Sequence, residues 1–227
     1  MARDNYTAVT GDLVGSRKLA PAEREALQVD TLEALRELNE RYEEFWVGHG
    51  QRAVLTAGDE IQALFREPNV TGDFIQALTE SVGGPSRIAF GVGHGALSTG
   101  VLRGVGSVEL LDGPCFHHAR ASLIRAKKQK LWAVFSGFGG VHDEILTSVF
   151  ELMGALRSGW TETQVKYAAS ARLLGKRLDV ARQHDVSPSV VTESLQRAHF
   201  DALTNAEKAV RILMRAIGDG EGAQRDA

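Results

Sequence analysis

With 227 residues, of which 43% are hydrophobic and 24% charged, the chain has the make-up of a soluble globular protein, which argues against wholesale disorder. That length suits one large domain or two smaller ones, and two are expected here. A net charge of −3 supplies no global positive field to draw the protein onto nucleic acid or an anionic membrane, so any DNA contact must come from a local patch.

Residues 6–14 form an apolar run bounded by turn residues and read as a short buried strand. Pro21 opens a long helix, because its missing N–H costs nothing in the first turn; Leu27, Leu32, Leu35, Leu38 and Tyr42 recur behind it at helical spacing. The stretch AVLTAGDEIQALF, residues 53–65, predicts two paired strands, 53–57 and 61–65, with Gly58, Asp59 and Glu60 at their tip. A helix over 71–82 follows, stopped by Gly83, Gly84 and Pro85. RIAFGVGHG predicts the next strand, its glycines marking a close approach of backbone or ligand and its end a tight exit. Gly91, Gly93 and Gly95 do not have the spacing of a dinucleotide loop. Residues 98–113 are Gly-rich and show no clear pattern, and 114–127 predict a helix with its basic residues in the last turn, where they complement the macrodipole. LWAVFSGF supplies the last strand.

This order, βαββαβ and then helix and strand, predicts an α+β fold: a ferredoxin-like palm sheet over residues 1–140 with helices on one face. Beyond residue 140 strand signals cease, and helices are expected over 141–157, 161–174, 176–184, 188–199 and 205–216. They make an all-α domain, 141–217, followed by a disordered tail, 218–227. Cys115, the only cysteine, excludes an internal disulfide and a cysteine-rich zinc site, fits a reducing cytosol and reads as packed rather than reactive. The first residues lack the apolar core of a signal peptide, and no segment approaches the roughly 20 apolar residues of a bilayer span, so a cytoplasmic protein without membrane contact is expected.

Asp12 ends the first strand and Asp59 sits at the hairpin tip. In a palm sheet those elements are neighbours, so the two carboxylates are expected to converge, and like charges so placed call for a shared cation or proton. Oxygen ligands select a hard cation, Mg2+ or Mn2+, that commonly also holds substrate phosphates. Gly15 and Ser16 offer backbone N–H groups toward phosphate oxygens. Arg120 reads as a phosphate partner or a surface ion pair, and of the adjacent His117 and His118 only one can face a given site. The basic run RAKKQK, residues 125–130, is either a solvated helix end or a phosphate contact.

The sequence of motifs GDLVGS, LTAGDEIQALF, RIAFGVGHGALSTG and GPCFHHARASL resembles class III nucleotide cyclases and their palm relatives. It is closer to the SatD family, whose pattern is met at residues 11–17, 58–62 and 112–120. Similarity to the cyclases implies that Asp12 and Asp59 bind metal and that Leu13, Val14, Gly15 and Ser16, with Arg17, Glu60 and Arg120 beside them, border the nucleotide. Leu55 stands where cyclases read adenine with lysine, and His117, His118 and Arg120 replace the transition-state donors in another register.

In the helical part, Ala181, Val186, Ser187, Val191 and Leu195 have the spacing of a helix-turn-helix: a small residue where helices cross, a plug at the corner and a cap on the second helix. Asp185 takes the usual glycine position. Ser189, Thr192, Gln196 and Arg197, together with Glu193, would face base edges. Arg172, Lys176, Arg177 and Arg182 would meet DNA phosphates. Together the parts predict a DNA-binding transcriptional regulator, homodimeric on double-stranded DNA, whose palm binds a nucleotide, a divalent metal or both. The alternatives are a divergent nucleotidyl cyclase or other metal-dependent phosphoryl-transfer enzyme, and a structural module that has lost its ligand.

Overall fold

The computed structural model describes residues 5–48, 50–56, 59–83, 87–98 and 107–225. Ala57 and Gly58 of the expected hairpin, and Gly84 and Pro85 of the expected helix stop, lie outside them. In chain order the first part comprises β1 (Asn5–Leu13), α1 (Pro21–Arg41), β2 (Val54–Leu55), β3 (Glu60–Phe65), α2 (Thr71–Ser81), β4 (Ile88–Ala96), α3 (Pro114–Gln129) and β5 (Ala133–Ser136). The sheet runs β2-β3-β1-β4-β5, antiparallel through its first four strands and parallel between β4 and β5. The β2-β3-β1-β4 portion is the split βαβ arrangement of ferredoxin-like sheets. β1 takes a central place because it is apolar on both faces: Val9 belongs to the main core and Ala8 to a second cluster beneath α3, both with no exposure.

Helices cover both faces of this sheet, not one as expected. α1, α2 and the later helix α4 (Gly140–Ser158) share a core with Val9, Ile61, Phe65 and Phe90. α3 lies on the other face, against Ala8, Leu64, Ala89 and Val134. Its close approach explains the glycines of β4, since a Cβ on Gly91 would fall 2.0 Å from the Ala119 carbonyl and one on Gly93 2.1 Å from that of Cys115. Backbone, not ligand, is what these glycines admit, and the strand continues through them to Ala96 without a tight exit. In α1 the buried face is Leu27, Thr31, Ala34, Leu35 and Leu38. Leu32 is 52% exposed because five residues beyond Leu27 is on the far side of a 3.6-residue helix; Thr31 takes the inner place, its hydroxyl donating to the Leu27 carbonyl.

The remaining helices are α5 (Glu162–Leu174), α6 (Arg177–Gln183), α7 (Pro188–Arg197) and α8 (Phe200–Arg225). The core does not break at residue 140. α4 gives Leu146, Phe150 and Met153, and α8 gives Leu203, Val210 and Met214, to the same core as the sheet. A separate core is built from α5–α7, by Tyr167, Ala168, Ala171, Val180, Ala181, Val191 and Leu195, with Trp160, and Phe200 of α8, packed against it. α8 also continues as helix to Arg225, past the expected end near residue 217.

A partly buried ionic brace joins α5 to α2, α4 and α8. Arg157 of α4, 5% exposed, donates to Glu80 of α2 at 2.9 Å and lies over the rings of Trp132 and Trp160. Arg172 of α5 pairs with the same Glu80 and with Glu207 of α8. Burial presses the Arg157 guanidinium below its ordinary pKa, and Glu80 works against that. Among the described residues no helix is long and apolar enough to cross a membrane.

Candidate functional site

Asp12, near the end of β1, stands directly across from Glu60 of β3. Like charges opposite one another on paired strands repel. α3 lies over that face and gives each a counter-ion: Lys127 Nζ is 2.8 Å from Asp12 Oδ2, and Arg120 donates to Glu60. Asp59, one residue earlier, is held from elsewhere. It is 8% exposed and accepts from Ser16 Oγ at 2.5 Å, Gln28 Nε2 at 3.2 Å and Arg24 Nη2 at 3.3 Å. Burial by itself would raise its pKa, but the Ser16 and Gln28 hydrogen bonds and the Arg24 guanidinium outweigh burial and hold the carboxyl below its ordinary value. The result fixes the turn after β1, where Gly15 adopts φ 75°, Ser16 is buried and Leu13 N–H donates to the Asp59 carbonyl.

That turn forms one wall of a cleft of about 650 Å³, bordered by Asp12, Leu13, Val14, Gly15, Ser16, Arg17, Lys18, Asp59 and, from β4 and α3, Ile88, Ala89, Ala126, Lys127, Lys130 and Leu131. Both aspartates and all five expected turn residues border it. Each aspartate has its own set of partners, and the cross-strand partner of Asp12 is Glu60, not Asp59. Glu60 and Arg120 do not line the cleft; they pair with each other. Two of the basic residues of the 125–130 run, Lys127 and Lys130, border it. Sequence reasoning missed Lys18, Arg24 and Gln28. The last two lie one turn apart at the start of α1, and an i, i+4 polar pair beside a Gly-Asp turn is the signal that points to them. Among the described residues no three His, Cys, Asp or Glu side chains are grouped to hold a metal ion.

The histidines have structural partners. His117 Nε2 is 3.0 Å from Asp112 Oδ1, His118 Nδ1 is 2.9 Å from the His94 carbonyl, and buried His94 stacks on Phe138. Burial pushes the Cys115 thiol up to about 12, which leaves it protonated and unreactive at neutral pH.

On the helical side, α6 and α7 meet through Val180, Ala181, Val191 and Leu195. Asp185, at φ 51°, makes the left-handed turn usually given to glycine. Val186 packs against the small core, and the Ser187 hydroxyl accepts from Val190 N–H. Ser189, Gln196 and Arg197 are exposed, while Thr192 is half-buried and donates to the Pro188 carbonyl at 2.8 Å. Lys176 is exposed just before α6. Arg177 pairs with Asp201, Arg182 with Asp179, and Arg197 with Glu193. Arg172 is not on this surface, because Glu80 and Glu207 hold it in the brace.

No curated protein matches the sequence. Among solved structures the chain is similar to a bacterial light-regulated adenylyl cyclase, at 12% identity and TM-score 0.39 over 58% of this chain and 43% of that one, so it spans less than half of that protein. It is also similar to a regulator of polyketide synthase expression from Bifidobacterium adolescentis, at 16% identity and TM-score 0.28 over 97% of this chain and 82% of that one. Likenesses at those scores do not bear on function. The SatD family profile matches residues 6–195, most of the chain, and the protein belongs to the SatD family.

Proposed function

We propose that this SatD-family protein is a DNA-binding transcriptional regulator whose sheet domain takes a nucleotide in the cleft beside Asp12. The carrying observation is the α6–α7 pair: two short helices on a small shared core, turned at a left-handed Asp185, with a polar outer face on α7. In this reading α7 enters a major groove, where Ser189, Thr192, Gln196 and Arg197 meet base edges, while Lys176, Arg177 and Arg182 meet phosphates. The arginines now pair with exposed acids, and such pairs are worth about 0–1 kcal/mol, so exchanging a carboxylate for a DNA phosphate costs little. A homodimer would place two α7 helices on paired half-sites.

In the cleft, Arg17, Lys18, Lys127 and Lys130 suit a phosphate chain. Mg2+ or Mn2+ would enter with it, since such cations commonly use one or two carboxylates together with ligand phosphates. Asp12 fits that role once Lys127 turns from it to a phosphate. Asp59 fits less well, because its oxygens already accept from Ser16, Gln28 and Arg24; its part is to hold the turn at Gly15 and Ser16. The cation would neutralise phosphate charge.

Incubation with ATP or GTP and either cation tests the ligand half. Binding without turnover is expected. Turnover abolished by Asp12→Asn would make the protein a phosphoryl-transfer enzyme of nucleotidyl-cyclase type, and lack of binding to either nucleotide would leave the sheet domain a scaffold.

A further inference from the structure

We infer that the cleft selects the polyphosphate chain and is indifferent to the base attached to it. This rests on the reading of the cleft as a nucleotide site and concerns what that site discriminates. Recognition of a base needs hydrogen-bonding groups placed at its edge; an aliphatic wall distinguishes ligands of similar size only weakly.

Among the described residues the lining supplies cations and an aliphatic wall, and the cations go to phosphate oxygens, which carry full charge, ahead of a neutral base edge. Four of its side chains are cations, Arg17, Lys18, Lys127 and Lys130, against two acids, Asp12 and Asp59. Both acids are engaged, Asp12 by Lys127 or, once Lys127 turns to a phosphate, by the cation that enters with the ligand, and Asp59 by Ser16, Gln28 and Arg24. The Ser16 hydroxyl is spent on Asp59 in the same contact. The rest of the wall, Leu13, Val14, Ile88, Ala89, Ala126 and Leu131, is aliphatic. Its backbone is engaged as well: Leu13 N–H donates to the Asp59 carbonyl, Val14 N–H to that of Arg87 and Leu131 N–H to that of Ala126. Among the described residues that line the cleft there is no side-chain amide and no aromatic ring. A base can lie flat on the aliphatic wall whatever its edge carries, while the charge-assisted hydrogen bonds that fix the ligand go to phosphate oxygens.

The test is calorimetric titration of the intact protein, in Mg2+ buffer, with ATP, GTP, CTP, UTP and inorganic tripolyphosphate, each also in competition with the tightest. The four nucleotides are expected to bind within about 5-fold of one another and tripolyphosphate to displace them, with monophosphates at least about 10-fold weaker. Lys127→Gln and Lys130→Gly, the latter chosen because residue 130 has φ 58°, should weaken all triphosphates by a common factor. A preference of about 100-fold or more for one base, or failure of tripolyphosphate to compete, overturns base indifference and leaves the nucleotide reading standing. Absence of binding by every triphosphate overturns both.

Discussion

Asp59 and Arg157 lie beneath the surface, Asp59 held by three side chains and Arg157 by Glu80 and two indole rings, whereas on α6 and α7 each arginine meets a single acid nearer the solvent. Both regions would count as salt-bridged, yet they obey different physics. Buried charge has lost its water, so removing one partner strands the other. Exposed charge keeps its water and is screened within about 8 Å at physiological salt, so its pairs exchange readily. The first arrangement holds a fold and the second suits a surface that trades partners.

The largest effect that would sharpen this contrast is expected for Glu80→Ala. It takes the acid from Arg157, whose side chain is 3% exposed, and breaking a buried pair in this way costs about 3–5 kcal/mol. Urea unfolding would measure it, and a loss under about 1 kcal/mol would place the brace with the exposed pairs. Next comes Asp59→Ala, which leaves Ser16, Gln28 and Arg24 without their shared acceptor and should cost about 2–3 kcal/mol. Asp12→Asn, by contrast, breaks a pair with a half-exposed lysine and should cost less than about 1 kcal/mol. Equal losses would erase the distinction between the two aspartates.

Acid titration gives a smaller version of the same comparison. The folded pKa of Asp59 lies below its ordinary value, so the unfolded chain takes up the proton first as pH falls. The stability from Asp59 is therefore complete above about pH 4 and is lost as pH drops through the folded value. Unfolding curves below about pH 4 should fall more steeply for the native chain than for Asp59→Ala. The smallest effects are expected for Arg182→Ala and Arg197→Ala, within about 0.5 kcal/mol in the same unfolding assay, since both break exposed pairs on single helices.

The five strands and the place of β1 beside the hairpin were legible because they follow from local patterns: apolar runs, turn residues and the connectivity of a palm sheet. What stayed hidden was decided by partners distant in sequence. Gly91 and Gly93 announced a close approach, but not that α3 would make it from a second face of the sheet. Leu146, Phe150 and Met153 of α4 enter the core of the sheet although strand signals stop at residue 140, because packing is decided by which face meets the sheet and not by where strands end. Arg172 looked like one member of a basic cluster, and only the fold sets Glu80 and Glu207 beside it. Strand register also sets Asp12 opposite Glu60, a juxtaposition that residue type alone does not announce.

Titration of a fluorescent duplex with the intact protein over rising salt tests the regulator most directly. A reader built on α6 and α7 binds at about 50 mM salt, its log affinity falls linearly with log salt, and Arg182→Ala lowers that slope by about 1 without changing the fold. No binding at that salt, or a slope unmoved by substitution of Arg177, Arg182 and Arg197, would contradict it.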